Sequence, residues 1–353
     1  MGTGETPLMT SELRISTTGR LGSIVLDRPK AINALSLEMI EGIAAALAQW
    51  RDDPDIGAVL FEGAGEKGFC AGGDVRAARA HVIEGRPEDA DRYFATEYRM
   101  NALIAGYPKP LVALTHGIVM GGGIGIAGHC GMRITQPGSR FAMPESAIGF
   151  FADVGVSAIL AKAPLNRALL FLMSGVSVGA SDALALGLAD VVVPSEAVEP
   201  LRRDIADAAR SSHAREHIVR LMAAGAVVAG EAPFAAKADL LPARQWESPA
   251  EFVAAVGDIA ALGEIAAVLA LRSPGSLAAT FHAQLAARRL MAVGPTLEME
   301  LRLAGLMARR ADFAEGVRAV LVDKDQAPRW SPDRLEALDQ APILAAVGGP
   351  QSA

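Results

Sequence analysis

The chain has 353 residues, 51% of them hydrophobic and 21% charged, and carries a formal net charge of −7. That length exceeds a usual single core, and the balance is that of a globular fold, so a disordered or fibrous chain is excluded. An acidic total without a basic block or aromatic–basic alternation excludes a general nucleic-acid binder, and no apolar run is long enough to span a bilayer.

Aromatic residues make up only 5%, so Ala, Leu, Val and Ile must fill the core, which points to a helix-heavy α/β protein. The two cysteines, Cys70 and Cys130, cannot build a disulfide framework, and a reducing compartment is the default. Met1 to Thr10 shows neither a basic segment followed by an apolar run nor an Arg-rich amphipathic pattern. The expectation is a cytoplasmic chain, or a mature one if imported.

Leu21 to Leu26 reads as a strand ending at Asp27-Arg28-Pro29. Ser36 is a good N-cap for a helix whose Ile40, Ile43, Ala44 and Leu47 recur at helical spacing, closed by Asp52-Asp53-Pro54. Buried strands follow at Ile56 to Phe61 and, after a Pro108-Lys109-Pro110 break, at Leu111 to Leu114; Val191 to Val193 is another. Strands separated by helices predict a sheet flanked by helices. After Pro200 the strand signals vanish and helical patterns take over. Ala223 to Ser248 reads as a loop or mobile connection, and Gly348 to Ala353 as a frayed tail. The division expected is a core over 10–200 and a helical region over 201–353.

Three segments stand out as carriers of chemistry. Gly68-Phe69-Cys70-Ala71-Gly72-Gly73-Asp74 follows one strand and its turn, and Gly117 to Gly125 follows another. Glycines let backbone approach a ligand closely, and a glycine run that opens a helix offers unpaired N–H groups to negative charge. Two such donors from separate loops make an oxyanion hole. Neither segment is a phosphate-binding P-loop, and Gly123-x-Gly125-x-x-Gly128 lacks the unit expected of a dinucleotide site. The third segment carries Glu145 and Asp153 among Phe141, Met143, Phe150 and Phe151. A carboxyl in apolar surroundings can serve as base or nucleophile while a neighbour handles the proton. Cys70 has no assigned histidine partner, and His213 and His217 have no third ligand, so neither makes a competing site.

Phe69-Cys70-Ala71-Gly72-Gly73-Asp74, Met120-Gly121-Gly122-Gly123 and Ala142-Met143-Pro144-Glu145 together resemble the crotonase (enoyl-CoA hydratase/isomerase) superfamily. Arg28 to Ser36, Asp153-Val154-Gly155, Ser273 to Leu277, and Asp312 to Trp330 extend the resemblance towards the 3-hydroxyisobutyryl-CoA hydrolases, over roughly residues 20 to 335. The resemblance implies a crotonase-like α/β spiral of ββα units with a helical C-terminal region. It implies oxyanion-hole N–H groups from Gly73 and Gly122, a principal catalytic carboxylate at Glu145 and a second acid at Asp153. Glu97 matches a further substrate-contacting acid, and Ala71, Gly73, Asp74 and Val75 fall where the superfamily holds the adenine end of CoA.

Hydratases of the superfamily carry a second catalytic Glu where this chain has Gly125, and Gly where it has Asp153. The implied activity is therefore hydrolysis of a short 3-hydroxyacyl-CoA thioester, 3-hydroxyisobutyryl-CoA first, in valine catabolism. An acyl-CoA is the partner and CoA is part of the substrate, so no cofactor is implied. Nor is a nucleic-acid or membrane partner, while a homo-oligomer, trimer or hexamer, is. The alternatives are an enoyl-CoA hydratase/isomerase, which consumes an enoyl group without freeing thiol, and a non-catalytic acyl-CoA-binding homologue. One departure is visible: the hydrolases show Phe-Pro-Asp before Val-Gly-Gly, whereas this chain has Phe151-Ala152-Asp153 and Gly155-Val156-Ser157.

Overall fold

The computed structural model describes residues 11–348. The readings made on Met1 to Thr10 and on the tail beyond Gly348 lie outside the described residues. Among the described residues nine strands form two sheets. β1 (Leu13–Thr18), β2 (Leu21–Leu26), β3 (Ala58–Gly63), β5 (Leu111–Thr115), β7 (Met132–Thr135) and β9 (Val191–Val192) make a six-stranded sheet in that order. β4 (Gly68–Cys70), β6 (Ile118–Met120) and β8 (Arg140–Ala142) make a second, three-stranded sheet. Among the described strands only the β1–β2 pair is antiparallel.

This order is the signature of a spiral. After the β1–β2 hairpin, the pairs β3–β4, β5–β6 and β7–β8 each send their first member to the large sheet and their second to the small one, and a helical segment returns the chain for the next turn. α2 (Val75–Ile83) and α3 (Pro87–Ala105) follow β3 and β4, and α4 (Gly122–His129) follows β5 and β6. A 3-10 turn (Pro144–Ile148) and α5 (Val156–Leu160) follow β7 and β8. The ββα spiral implied by the resemblance is the fold.

Local chemistry explains the elements. The Ser36 hydroxyl accepts the Met39 N–H at 3.2 Å and caps α1 (Leu37–Arg51), which buries Met39, Ile40, Ile43, Leu47 and Trp50. β5 is buried at every residue because both its faces are covered, which is why it reads as an unbroken apolar run. One sheet face packs on the main core. On the other, Leu60, Val112, Leu114 and Ile134 meet Leu201, Ile205, Ile218 and Met222 of the Val198–Ala208 and Ala214–Gly225 helices.

Beyond β9 every described element is helical. The main core contains Leu13 and Val347 alike, so these helices pack against the spiral rather than standing off it. The Ala223 to Ser248 stretch is more ordered than its composition predicts: Pro233–Ala238 is a helix, and its Phe234 and Ala235 are buried. Pro233 at the first helical turn nucleates it, since its missing N–H is not needed there. No single described helix is long and apolar enough to cross a bilayer.

Candidate active site

The small sheet assembles the site. Its three strands run parallel, so the chain leaves all of them at one edge, the usual place for a ligand in parallel sheets. Cys70 pairs with Val119 and Val119 with Phe141. Gly73 lies three residues past Cys70 and Gly122 three past Val119, so neighbouring strands deliver them side by side. A Cβ built on Gly122 would stand 3.4 Å from the Gly73 nitrogen. The third strand delivers Glu145, whose Oε1 would lie 2.8 Å from a Cβ on Gly121.

The two N–H groups are available for a ligand. Gly73 is bridged to Leu35, but the bonds run from the Leu35 N–H to the Gly72 carbonyl at 2.8 Å and from the Asp74 N–H to the Leu35 carbonyl at 2.9 Å. Gly122 is the first residue of α4 and has no intrahelical acceptor. The helix N-terminus adds a favourable field for negative charge at the same point.

These residues line a cavity of about 420 Å³, together with Ala71, Asp74, Val75, Glu97, Asp153 and the Val320–Leu321 pair. All eight site residues expected from the sequence therefore share one pocket, of the size of a small-molecule site. Phe94 stacks on Phe150 at 4.9 Å, and Phe150 meets Phe313 at 5.4 Å, so an aromatic wall backs the acids. Its last member comes from the far end of the chain. At the mouth, Arg28 donates to Asp74 at 3.0 Å, and Tyr93 donates to the Leu35 carbonyl at 3.0 Å, fixing the Gly73 turn from behind.

Three carboxyls meet inside. Glu97, Glu145 and Asp153 are 3%, 8% and 5% exposed. Burial disfavours their charged forms, and the charge of Asp153 raises the proton affinity of both glutamates. Glu145 is held well above the usual carboxylate range, by burial first and then by Asp153 and Glu97. Glu97 is raised by burial and by Asp153. Asp153 goes from 3.8 to about 7, because burial outweighs the opposing hydrogen bond that Tyr98 donates to its Oδ2 at 2.6 Å.

A stability prediction follows for Asp153. Its folded-state pKa is raised, so between about 4 and 7 the folded chain holds a proton that the unfolded chain releases. Stability contributed by that proton is full below the unfolded pKa and is lost as pH rises through the folded one. Asp153→Asn is expected to gain a few kcal/mol over wild type at pH 8 and distinctly less at pH 5, read by urea melts. An equal difference at both pH values would exclude a raised Asp153.

Gly125 is built against an acid. A Cβ there would lie 2.8 Å from the Val154 Cβ and 3.1 Å from the Asn101 Oδ1, so the chain has no room for a carboxylate arm at this position. Val154 is itself held at φ 54°, a conformation that costs a β-branched residue about 1–3 kcal/mol. The departure at Ala152 is used: its N–H donates to the Thr280 hydroxyl at 3.3 Å, a bond that proline could not make. Cys70 is buried and its thiol is pushed up to about 12, so it is inert. His213 precedes the Ala214–Gly225 helix rather than sharing its face with His217, and among the described residues no cluster of three or more ligand side chains is arranged for a metal. Sequence reasoning missed Tyr98 as a partner of Asp153; its position directly after Glu97 was the available signal.

The model of the family described as "Enoyl-CoA hydratase/isomerase" matches residues 21–347. "3-Hydroxyisobutyryl-CoA hydrolase, mitochondrial" from Danio rerio is 36% identical over 339 residues, 94% of this chain and 87% of the relative. The protein of that name from Homo sapiens is 34% identical over 338 residues, 93% and 86% of the two. A crystal structure of a carnitinyl-CoA dehydratase from Mycobacterium thermoresistibile superposes with a TM-score of 0.87 at 34% identity, covering 97% of this chain and 98% of that one. The expectation of a cytoplasmic chain is corrected by these relatives, which are mitochondrial by name. It rested on the lack of a targeting pattern in Met1 to Thr10, and such a lack carries no location.

Proposed function

The chain belongs to the enoyl-CoA hydratase/isomerase family, and from that premise we propose that it hydrolyses 3-hydroxyisobutyryl-CoA to 3-hydroxyisobutyrate and CoA. It is an acyl-CoA thioester hydrolase. The observation that carries this reading is the acid set: Glu145 and Asp153 share a pocket with two paired backbone donors, while the hydratase acid is replaced by a Gly125 with no space for one. The relatives bearing the hydrolase name over most of both chains support it.

In the proposed mechanism the thioester oxygen sits between the Gly73 and Gly122 N–H groups, which strengthen as negative charge develops on it. Glu145 as carboxylate takes a proton from water as the water oxygen bonds the carbonyl carbon, or attacks that carbon itself to form an anhydride that water then opens. In either route the C–S bond breaks and the thiolate takes a proton, with Asp153 placed to supply it or to hold the acyl hydroxyl. Glu97 orients the acyl group. Ala71, Asp74 and Val75 hold the adenine end of CoA. The reaction so written calls for no metal or redox cofactor, since CoA arrives with the substrate. A homo-oligomer, trimer or hexamer, belongs to the same proposal.

The test is thiol release from 3-hydroxyisobutyryl-CoA by the purified chain, set beside the enoyl absorbance of crotonyl-CoA. The expected result is free thiol from the first and no absorbance loss in the second. Enoyl loss without thiol would make the chain a hydratase, as the dehydratase name of its structural neighbour would have it. Binding of both esters without turnover would make it a binding protein.

A further inference from the structure

Behind the pocket lies a fourth buried carboxyl that the proposed reaction does not use. Glu300, in the Val293–Ala308 helix, is 0% exposed and stands on the face that carries Leu297, Leu303, Ala304 and Met307 into the core. A carboxyl among such neighbours is costly unless it is hydrogen-bonded. Its Oε2 accepts the Gly155 N–H at 2.7 Å. Glu300 does not line the cavity, so any effect it has on the reaction runs through the segment it holds.

That segment presents Asp153. Val154 stands at φ 54° and Gly155 at φ 74°, two successive left-handed residues of which the first is β-branched. Such a residue stays there only when its surroundings hold it. Three contacts do so from three directions: Tyr98 donates to Asp153, the His129 Nε2 meets the Val154 carbonyl at 2.8 Å, and Glu300 takes the Gly155 N–H. The first two hold a side chain and a carbonyl; Glu300 holds the amide beyond the strained residue. If that amide turned away, Val154 could relax and the Asp153 carboxyl would leave its direction into the pocket.

We infer that Glu300 is a positioning residue for Asp153, fixing the left-handed Val154–Gly155 turn through the Gly155 N–H. The inference rests on the hydrolase reading of the pocket. What Glu300 supplies is the oxygen that accepts the Gly155 N–H; burial first, and Asp153 second, push its pKa above the usual carboxylate range.

Glu300→Gln keeps an oxygen for the Gly155 N–H, while Glu300→Met keeps the bulk and removes the acceptor. Both are made alone and in an Asp153→Asn background, and assayed for thiol release from 3-hydroxyisobutyryl-CoA per folded molecule, the folded fraction being read by thermal melts. Glu300→Met is expected to lower kcat by about 10- to 100-fold with KM changed by less than about threefold. Glu300→Gln is expected to restore most of that loss, and in the Asp153→Asn background the methionine is expected to add no further loss. Should Glu300→Met fail to fold, Glu300→Asp, which withdraws the acceptor by one methylene, carries the same comparison. A wild-type kcat per folded molecule in the acceptor-lacking variant, or a loss of equal size with and without Asp153, would overturn the inference. Absence of thiol release from the wild type would instead overturn the hydrolase reading.

Discussion

Glu145→Gln is expected to lower kcat for thiol release by about 10²- to 10⁴-fold, the range that a positioned base contributes. That is roughly 3–5 kcal/mol of transition-state stabilisation at 1.36 kcal/mol per tenfold. Glutamine has nearly the same shape, and the side chain is 8% exposed, so the pocket and KM should change little. Both routes for Glu145 need it ionised, and its proton affinity is raised by burial and by Asp153 and Glu97. The wild-type rate should therefore climb with pH as this proton leaves, and the residual rate of the glutamine variant should lose that climb. Steady-state thiol release across pH checks both. Full thiol release by the variant would remove Glu145 from the reaction.

Much of the candidate site was legible in the chain because the motifs that carry the resemblance are local. Gly73 and Gly122 lie directly beyond short strands, and the parallel pairing of β4 with β6 turns equal offsets into adjacency. Glu145 follows the third strand of the same sheet, so one edge collects all three. The role of Ser36 was legible for the same reason, since its partner Met39 is three residues away. What stayed hidden depends on chain segments far apart. Tyr98 and Asp153 are 55 residues apart, and Gly155 and Glu300 are 145 apart. No local pattern reports such a pair. Glu300 does leave a trace, an acid standing on the apolar face of its helix between Leu297 and Leu303, but that trace names no partner. β1 was missed because an edge strand with Arg14, Ser16, Thr17 and Thr18 is mostly solvent-facing and shows little apolar alternation. The helix at Pro233–Ala238 was missed because its stability comes from burying Phe234 against Phe171, 6.2 Å away between ring centres, and not from its own short length.

Gly122→Ala is the second large effect. Its Cβ would arrive 2.4 Å from the Glu97 Oε1, closer than carbon tolerates, and 3.0 Å from the Leu35 Cδ1, a contact tight enough that the leucine must give. Leu35 is fully buried and Glu97 is 3% exposed, so neither side chain can swing into solvent to make room. The strain falls on the backbone at the mouth of α4, where the N–H must point at the thioester oxygen. An oxyanion donor moved out of line is worth little, and removal of one such donor typically lowers kcat by about 10²- to 10³-fold. The new methyl also presses on the Glu97 carboxyl that orients the acyl group, so KM should rise as well, which separates this variant from Glu145→Gln. Circular dichroism should show the fold retained, because the rest of α4 is untouched. Shrinking the obstacle offers the control: in a Glu97→Ala background, alanine at 122 should cost less than it does alone, since the nearest clash is gone. A Gly122→Ala enzyme with wild-type kcat would mean that the thioester oxygen does not sit on this pair of amides, and the mechanism would need another acceptor of its charge.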